Sequence, residues 1–278
     1  MEKTIINLHM KKEEFLQRYQ DLGWNYKEPR PFPALRVNTL LIKEEALVQR
    51  LKEKGVVLEK VPNVKHGYFI KKSPFSLAST IEYLKGYFFL QDAAAQRAVE
   101  VLNPTKQDLV LDMCASPGGK TTQMAQKMNN EGVIVSLELK KERLVALKNN
   151  LERCQVKNVI VYNINARDSP KLHLLFDKIL LDAPCSGNFS LERGWFEKRD
   201  LDGIRRNAQL QKELLAAGFD ALKPQGELVY ATCSLEPEED ENNCSWFQKR
   251  FPVKMISFER VWPDKTHGFF LAKFVRLR

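Results

Sequence analysis

The chain has 278 residues, enough for one large domain or two smaller ones with cores of their own. Hydrophobic residues make up 44% of it, yet no apolar run is long enough to span a bilayer, which excludes a transmembrane helical protein. The net charge is +9, and residues 1–80 carry 15 Lys+Arg against 9 Asp+Glu, so the basic excess is concentrated early and points to a polyanionic partner.

Residues 11–22 place Phe15, Leu16 and Tyr19 on one face and predict an amphipathic helix. Ala34–Asn38 reads as a strand, and residues 43–54 as a helix closed by Gly55. Val56–Leu58 and Gly67–Ile70 read as further strands. A β-α-β-β run with basic residues between its elements suits a small α+β, RRM-like RNA-binding region. The loop Ser73-Pro74-Phe75-Ser76 marks its end, which divides the chain into residues 1–80 and 81–278. From residue 81 the pattern alternates strictly. Strands at 109–113, 133–138, 158–162, 176–182 and 226–232 are separated by helical stretches with apolar faces such as Leu144–Leu147 and Leu214–Ala217. Such alternation predicts an α/β fold with a mostly parallel, doubly wound sheet. Phe269–Phe274 is expected to pair antiparallel at its edge.

The five cysteines are odd in number and form no C-x-x-C pair, which argues against a disulfide framework or a metal site. Met1-Glu2-Lys3-Thr4 does not begin a secretory signal, and a reducing, cytoplasmic setting is expected.

Leu109–Thr122 reads as a buried strand, a tight turn and a helix start, the arrangement that offers backbone N–H groups to a ligand. Gly119-Lys120-Thr121 would end a P-loop, but Cys114 stands where that motif needs its first glycine. The dinucleotide fingerprint is absent. A third choice is a nucleoside cofactor carrying a sulfonium, which needs an acidic residue closing the next strand for the ribose hydroxyls; Glu138 follows Val133–Leu137 there. An ordinary strand–helix turn is the plain alternative. Two other strands also end in chemistry: Ile179–Leu181 runs into Asp182-Ala183-Pro184-Cys185-Ser186-Gly187, and Leu228–Ala231 into Thr232-Cys233-Ser234. One cysteine after a strand usually packs as a small hydrophobe. Two at strand ends, in a sheet that gathers its ligands there, point to reactivity.

These stretches resemble the RNA cytosine-5 methyltransferases of the NOL/NOP/Sun family. Asp112-x-Cys114-x-x-Pro117-Gly118-Gly119-Lys120-Thr121 is similar to their cofactor loop, and the Pro-Cys and Thr-Cys-Ser stretches to their paired cysteine motifs. Arg36-Val37-Asn38-Thr39-Leu40, Gln91-Asp92 and Gly268-Phe269-Phe270-x-Ala272 extend the resemblance from about residue 34 to the end. It implies a Rossmann-like class I methyltransferase domain, S-adenosyl-L-methionine as cofactor and RNA as partner. The compact chain makes tRNA the expected substrate over rRNA, with no membrane partner and a monomeric enzyme. The implied catalytic residues are Cys233 as nucleophile, Cys185 in product release, Asp182 on the ring nitrogen and Lys120 orienting the base or balancing charge. The implied cofactor contacts are Cys114, Ala115, Ser116, Pro117, Gly118, Gly119, Lys120 and Asp182, with Glu138 on the ribose and Arg143 behind it. Asn165 faces the adenine where the family usually has Asp, and His267 replaces a more usual acidic residue. Two thiols make chemical sense: carbon 5 of cytosine becomes nucleophilic only after a thiolate adds to carbon 6, and the adduct must later be released.

The acidic run Glu236–Glu241 is expected to open a helix, with Pro237 in its first turn and the carboxylates facing the dipole. Asn188–Arg206 mixes aromatic and basic residues, which suits stacking on a flipped base, the alternative being a loop with its own hydrophobic cluster. The rival functions are a P-loop NTPase, with Lys120-Thr121 on phosphates and Asp182 on magnesium, and a non-catalytic RNA-binding protein. The first leaves Cys185 and Cys233 unexplained.

Overall fold

Phe15 and Tyr19 lie one turn apart, and burying that stripe fixes the first helix, α1 (Lys12–Asp21). The computed structural model describes residues 12–278, so Lys11, expected to begin this helix, lies outside the described residues.

A small unit follows: β1 (Ala34–Val37), α2 (Glu44–Glu53), β2 (Val57–Lys60), β3 (Gly67–Lys72), α3 (Ile81–Leu84) and β4 (Phe88–Leu90). Its strands pair antiparallel in the order β2-β3-β1-β4, a β-α-β-β-α-β arrangement closed over Leu35, Val37, Leu47, Leu51 and Phe88. The sheet runs to Leu90, past the boundary expected at residue 80. A one-turn helix and a three-residue strand are too short to register as periodicity.

The larger unit comprises α4 (Ala93–Leu102), β5 (Leu109–Asp112), α5 (Gly119–Lys127), β6 (Val133–Leu137), α6 (Lys141–Arg153), β7 (Val159–Tyr162), β8 (Phe176–Asp182), α7 (Trp195–Lys198), α8 (Leu201–Asp220), β9 (Leu222–Thr232), α9 (Glu241–Arg250), β10 (Val253–Val261) and β11 (Phe269–Arg276). A short 3-10 helix at Ala166–Leu172 precedes β8. The sheet order is β10-β11-β9-β8-β5-β6-β7, with β5 to β9 parallel. β11 is antiparallel to both its neighbours and sits one place in from the edge, which β10 occupies. That edge strand exposes Ile256 and Phe258 together with polar residues, so it lacks the alternation by which strands are read from sequence. Strand order reverses between β5 and β8, which makes the crevice beyond their carboxyl ends the natural ligand site.

Arg36 joins the two units. Buried between them, it donates to Gly119 O (3.2 Å), Thr122 Oγ1 (2.8 Å), Gln91 Oε1 (3.3 Å) and Gln126 Oε1. Asn38 Nδ2 adds bonds to Gly86 O and Cys154 O, at 2.9 and 3.0 Å. Asp92 caps α4 and accepts from Thr266 Oγ1, which ties the Gln91-Asp92 stretch to the turn before Gly268. Among the described residues no helix is long and apolar enough to cross a membrane.

Candidate active site

From Asp112 the chain turns into α5 through Gly118, whose φ of +104° lies in the region that favours glycine. α6 staples this turn from the other side. Arg143 Nη2 donates to Ser116 O (2.8 Å), Ser116 Oγ donates to Arg143 O (3.0 Å), and Asn150 Nδ2 donates to Pro117 O (2.9 Å). Beneath it Asp112 is buried, with Oδ2 accepting from Thr121 Oγ1 at 2.7 Å and Oδ1 without a partner. Burial raises its carboxyl to about 6.

A cavity of about 420 Å³ opens beside the turn. It gathers Cys114, Ser116, Glu138, Arg143, Asn165, Asp182, Cys185 and Cys233 from five separate stretches of chain. Ala115, Pro117, Gly118, Gly119 and Lys120, expected to contact the cofactor, are not among its lining residues. Burial and the neighbouring carboxylates push the Cys114 thiol up, and the residue lines the cavity wall. Glu138 is buried, and its Oε1 accepts from Lys140 N at 2.8 Å. Asn165 Oδ1 accepts from Arg167 N at 3.0 Å, capping the 3-10 helix, so the carbonyl expected to serve a ligand already has one donor. With Met113, Leu137, Ala183 and Leu214 as apolar wall and Glu138 at one end, the cavity fits a nucleoside with a short polar tail.

At its other end lie the thiols. Cys185 Sγ and Cys233 Sγ are 2.8 Å apart and both free, and Cys233 N–H also donates to Cys185 Sγ at 3.3 Å. The hydrogen bond to Cys233 and burial hold the Cys185 thiol well above the ordinary cysteine range, so it stays neutral. Lys120 Nζ donates to Asp182 Oδ2 at 2.6 Å. Burial opposes its charge, but Asp182 and then Asp112 outweigh that and raise its pKa above the ordinary lysine value.

The acidic run after Cys233 is not a solvated helix start. α9 begins only at Glu241, Pro237 precedes it, and Glu236, Glu239 and Asp240 are fully buried. Asp240 Oδ1 accepts from Thr232 Oγ1 at 2.6 Å, and its Oδ2 lies 3.3 Å from Arg260 Nη1. Glu236 accepts from Tyr19 OH at 2.6 Å and pairs with Arg18 at 3.1 Å, so α1 docks on the turn that carries Cys233. Asn188 Nδ2 holds the Cys233 carbonyl at 2.7 Å and the Gly268 carbonyl at 2.9 Å. Sequence reasoning missed this layer. The signal was there: five carboxylates within six residues exceed what one helix dipole can use. The Asn188–Arg206 loop also reads differently. Trp195 and Phe196 are buried against Phe15, at 5.0 and 5.9 Å between ring centroids. The hydrophobic-cluster reading holds there, and Arg193, Arg205 and Arg206 remain exposed.

Burial raises the Glu236 carboxyl from an ordinary 4.5 to about 7, with the Tyr19 bond and Arg18 pulling the other way. The fold therefore holds this proton more tightly than the unfolded chain does. The stabilisation is full below the unfolded value and is lost as pH rises through the folded one. Glu236→Gln cannot ionise, so in urea unfolding it should gain stability relative to the parent between about pH 5 and about pH 8. An identical difference at both pH values would remove Glu236 from the pH dependence.

Sheet order, inserted antiparallel strand and a cavity at the switch point define the Rossmann-like fold of class I methyltransferases. The family described as 16S rRNA methyltransferase RsmB/F matches residues 99–275, and the N-terminal domain of 16S rRNA methyltransferase RsmF matches residues 8–93. The ribosomal RNA small subunit methyltransferase F of Psychromonas ingrahamii is 38% identical over 83% of this chain and 50% of its own length. The 28S rRNA (cytosine(4447)-C(5))-methyltransferase of Homo sapiens is 37% identical over 88% of this chain and 34% of its own. The chain thus spans half the length, or less, of these curated relatives. A solved methyltransferase homolog protein from Pyrococcus horikoshii superposes with a TM-score of 0.83 at 38% identity, covering 89% of this chain and 88% of that one. NSun6 from the same organism, solved with SFG, gives 0.83 at 27% identity, covering 90% and 92%. The chain belongs to the RNA cytosine-5 methyltransferases of the NOL/NOP/Sun family.

Proposed function

We propose that this chain methylates carbon 5 of cytosine in RNA through a covalent bond between Cys233 and the base. The observation that carries the reading is the pair of free thiols 2.8 Å apart, delivered by two strand ends beside the Lys120–Asp182 pair. S-adenosylmethionine, when bound, supplies the electrophilic methyl group. Cys114, Ser116, Glu138, Arg143 and Asn165 would hold it, in the cavity whose fit to a nucleoside is described above. Cys233 is taken as the nucleophile because it stands in the Thr-Cys-Ser stretch that carries the nucleophile in the family, and Cys185, in contact with it, is left for release. As the sulfur–carbon bond forms, one proton passes from the Cys233 thiol to the ring nitrogen through Asp182, and the Lys120 ammonium balances the charge. In release, the carbon 5 proton leaves and the bond from carbon 6 to sulfur breaks. The Cys185 thiol protonates the departing sulfur and regains a proton from carbon 5, while the proton placed on the ring nitrogen leaves through Asp182 to solvent.

The small antiparallel sheet and the early basic excess support a role for residues before Leu90 in holding RNA. As substrate we propose ribosomal RNA, after the activities named for the curated relatives; this replaces the tRNA expectation, which rested on the compactness of the chain and its few RNA-binding elements. An RNA substrate is in keeping with the cytoplasmic location expected from the sequence. The test is to incubate total RNA with the chain and labelled cofactor and to map the label. Label at carbon 5 of ribosomal cytosines supports the reading, label in tRNA moves the substrate, and the absence of 5-methylcytosine overturns it.

A further inference from the structure

The two-thiol reading leaves one buried carboxyl group without a role. Glu239 is fully buried, and its carboxylate points at the turn that carries Cys185 and away from solvent. Its oxygens accept from Ser186 N–H at 3.0 and 3.3 Å, from Ser186 Oγ–H, and from Gln211 Nε2 at 3.1 Å. The same Gln211 nitrogen donates to Pro184 O at 2.9 Å. Glu239 therefore grips the residue after Cys185 directly and the residue before it through Gln211. The main chain at Glu239 is itself anchored, because Tyr230 on β9 donates its hydroxyl to the Glu239 carbonyl. The next residue does the matching job for the other cysteine: Asp240 accepts from Thr232, immediately before Cys233. One dipeptide thus holds the flanks of both thiols.

We propose that Glu239 is a positioning residue for the release step, holding Cys185 against Cys233 without touching the base. The inference rests on the two-thiol reading given above. The carboxylate offers only acceptors, matched to the Ser186 and Gln211 N–H groups and to the Ser186 hydroxyl; an amide would present its NH₂ to that hydroxyl, which would then have to accept and give up its own bond to residue 239. Losing the bond from the Ser186 hydroxyl to a carboxylate loosens the turn that sets the separation of the sulfurs. Attack by Cys233 does not need this separation. Protonation of its departing sulfur by Cys185 does.

The test uses the full chain with Glu239→Gln, read by cofactor calorimetry, single-turnover methyl transfer, steady-state turnover and a denaturing gel for covalent protein–RNA complex. Cofactor affinity and single-turnover transfer should stay near the parent. Steady-state turnover should fall by about tenfold, the scale of one lost charge-assisted hydrogen bond, and the complex should accumulate. Glu239→Asp, which keeps the acceptors, should restore part of the turnover. Ser186→Ala removes one donor without burying an unmatched amide, so it gives a milder accumulation of the complex even if Glu239→Gln does not fold. A merely structural role predicts transfer and turnover falling together with no complex, and that result overturns the proposal, as does unchanged turnover. Should Cys185→Ala also fail to trap a complex, it is the two-thiol reading that falls.

Discussion

Cys233→Ala is expected to give no methylated RNA and no covalent adduct, whereas Cys185→Ala should accumulate a protein–RNA complex that survives a denaturing gel. The two outcomes differ because the thiols act at different steps. Without Cys233 nothing adds to carbon 6, and the base never becomes nucleophilic at carbon 5. Without Cys185 addition and transfer proceed, but the departing sulfur has lost the neutral thiol 2.8 Å away that would protonate it. The complex should vanish in the double variant. An arrangement with Cys185 as nucleophile, that of the DNA cytosine-5 methyltransferases, predicts the reverse. A trapped complex in Cys233→Ala and none in Cys185→Ala would sink the assignment.

The other large effect is expected at Arg36. Its guanidinium, almost fully buried, bonds Gly119 O, Thr122 Oγ1, Gln91 and Gln126, and burial lowers its pKa to about 10 but leaves it charged at neutral pH. Arg36→Met fills similar volume and leaves those acceptors unmatched, at about 2–4 kcal/mol in urea unfolding. Arg36→Lys should recover less than half, because one ammonium cannot span a fork of partners. Loss below about 0.5 kcal/mol for Met would mean that water replaces the guanidinium at no disadvantage.

Most of the catalytic unit was legible because its strands are short apolar runs between helical stretches, and strand ends of a parallel sheet collect functional groups. Glu138, Asp182, Cys185 and Cys233 arrive in one cavity for that reason. What escaped was whatever depended on burial. Glu236, Glu239 and Asp240 look solvated in sequence, since nothing local announces that Tyr19, Ser186 and Thr232 will come to meet them from other elements. The same blindness favoured base stacking over a hydrophobic cluster for the Asn188–Arg206 loop, whose Trp195 and Phe196 are covered by helix α1, far away in sequence. Edge strand β10 escaped for the opposite reason, its outer face being too exposed to alternate.

Arg36 binds the small sheet to the very turn that shapes the cofactor cavity, through Gly119 O and Thr122. A load on one side of that rivet is felt on the other. If RNA pressing on the sheet shifts β1, the turn moves with it and cofactor affinity changes. Thermodynamic linkage then makes the traffic two-way: whatever factor RNA imposes on cofactor binding, the cofactor imposes on RNA binding. Order of addition would be a matter of rates alone, and spent cofactor, by loosening or tightening the same turn, would carry a vote on when the RNA departs.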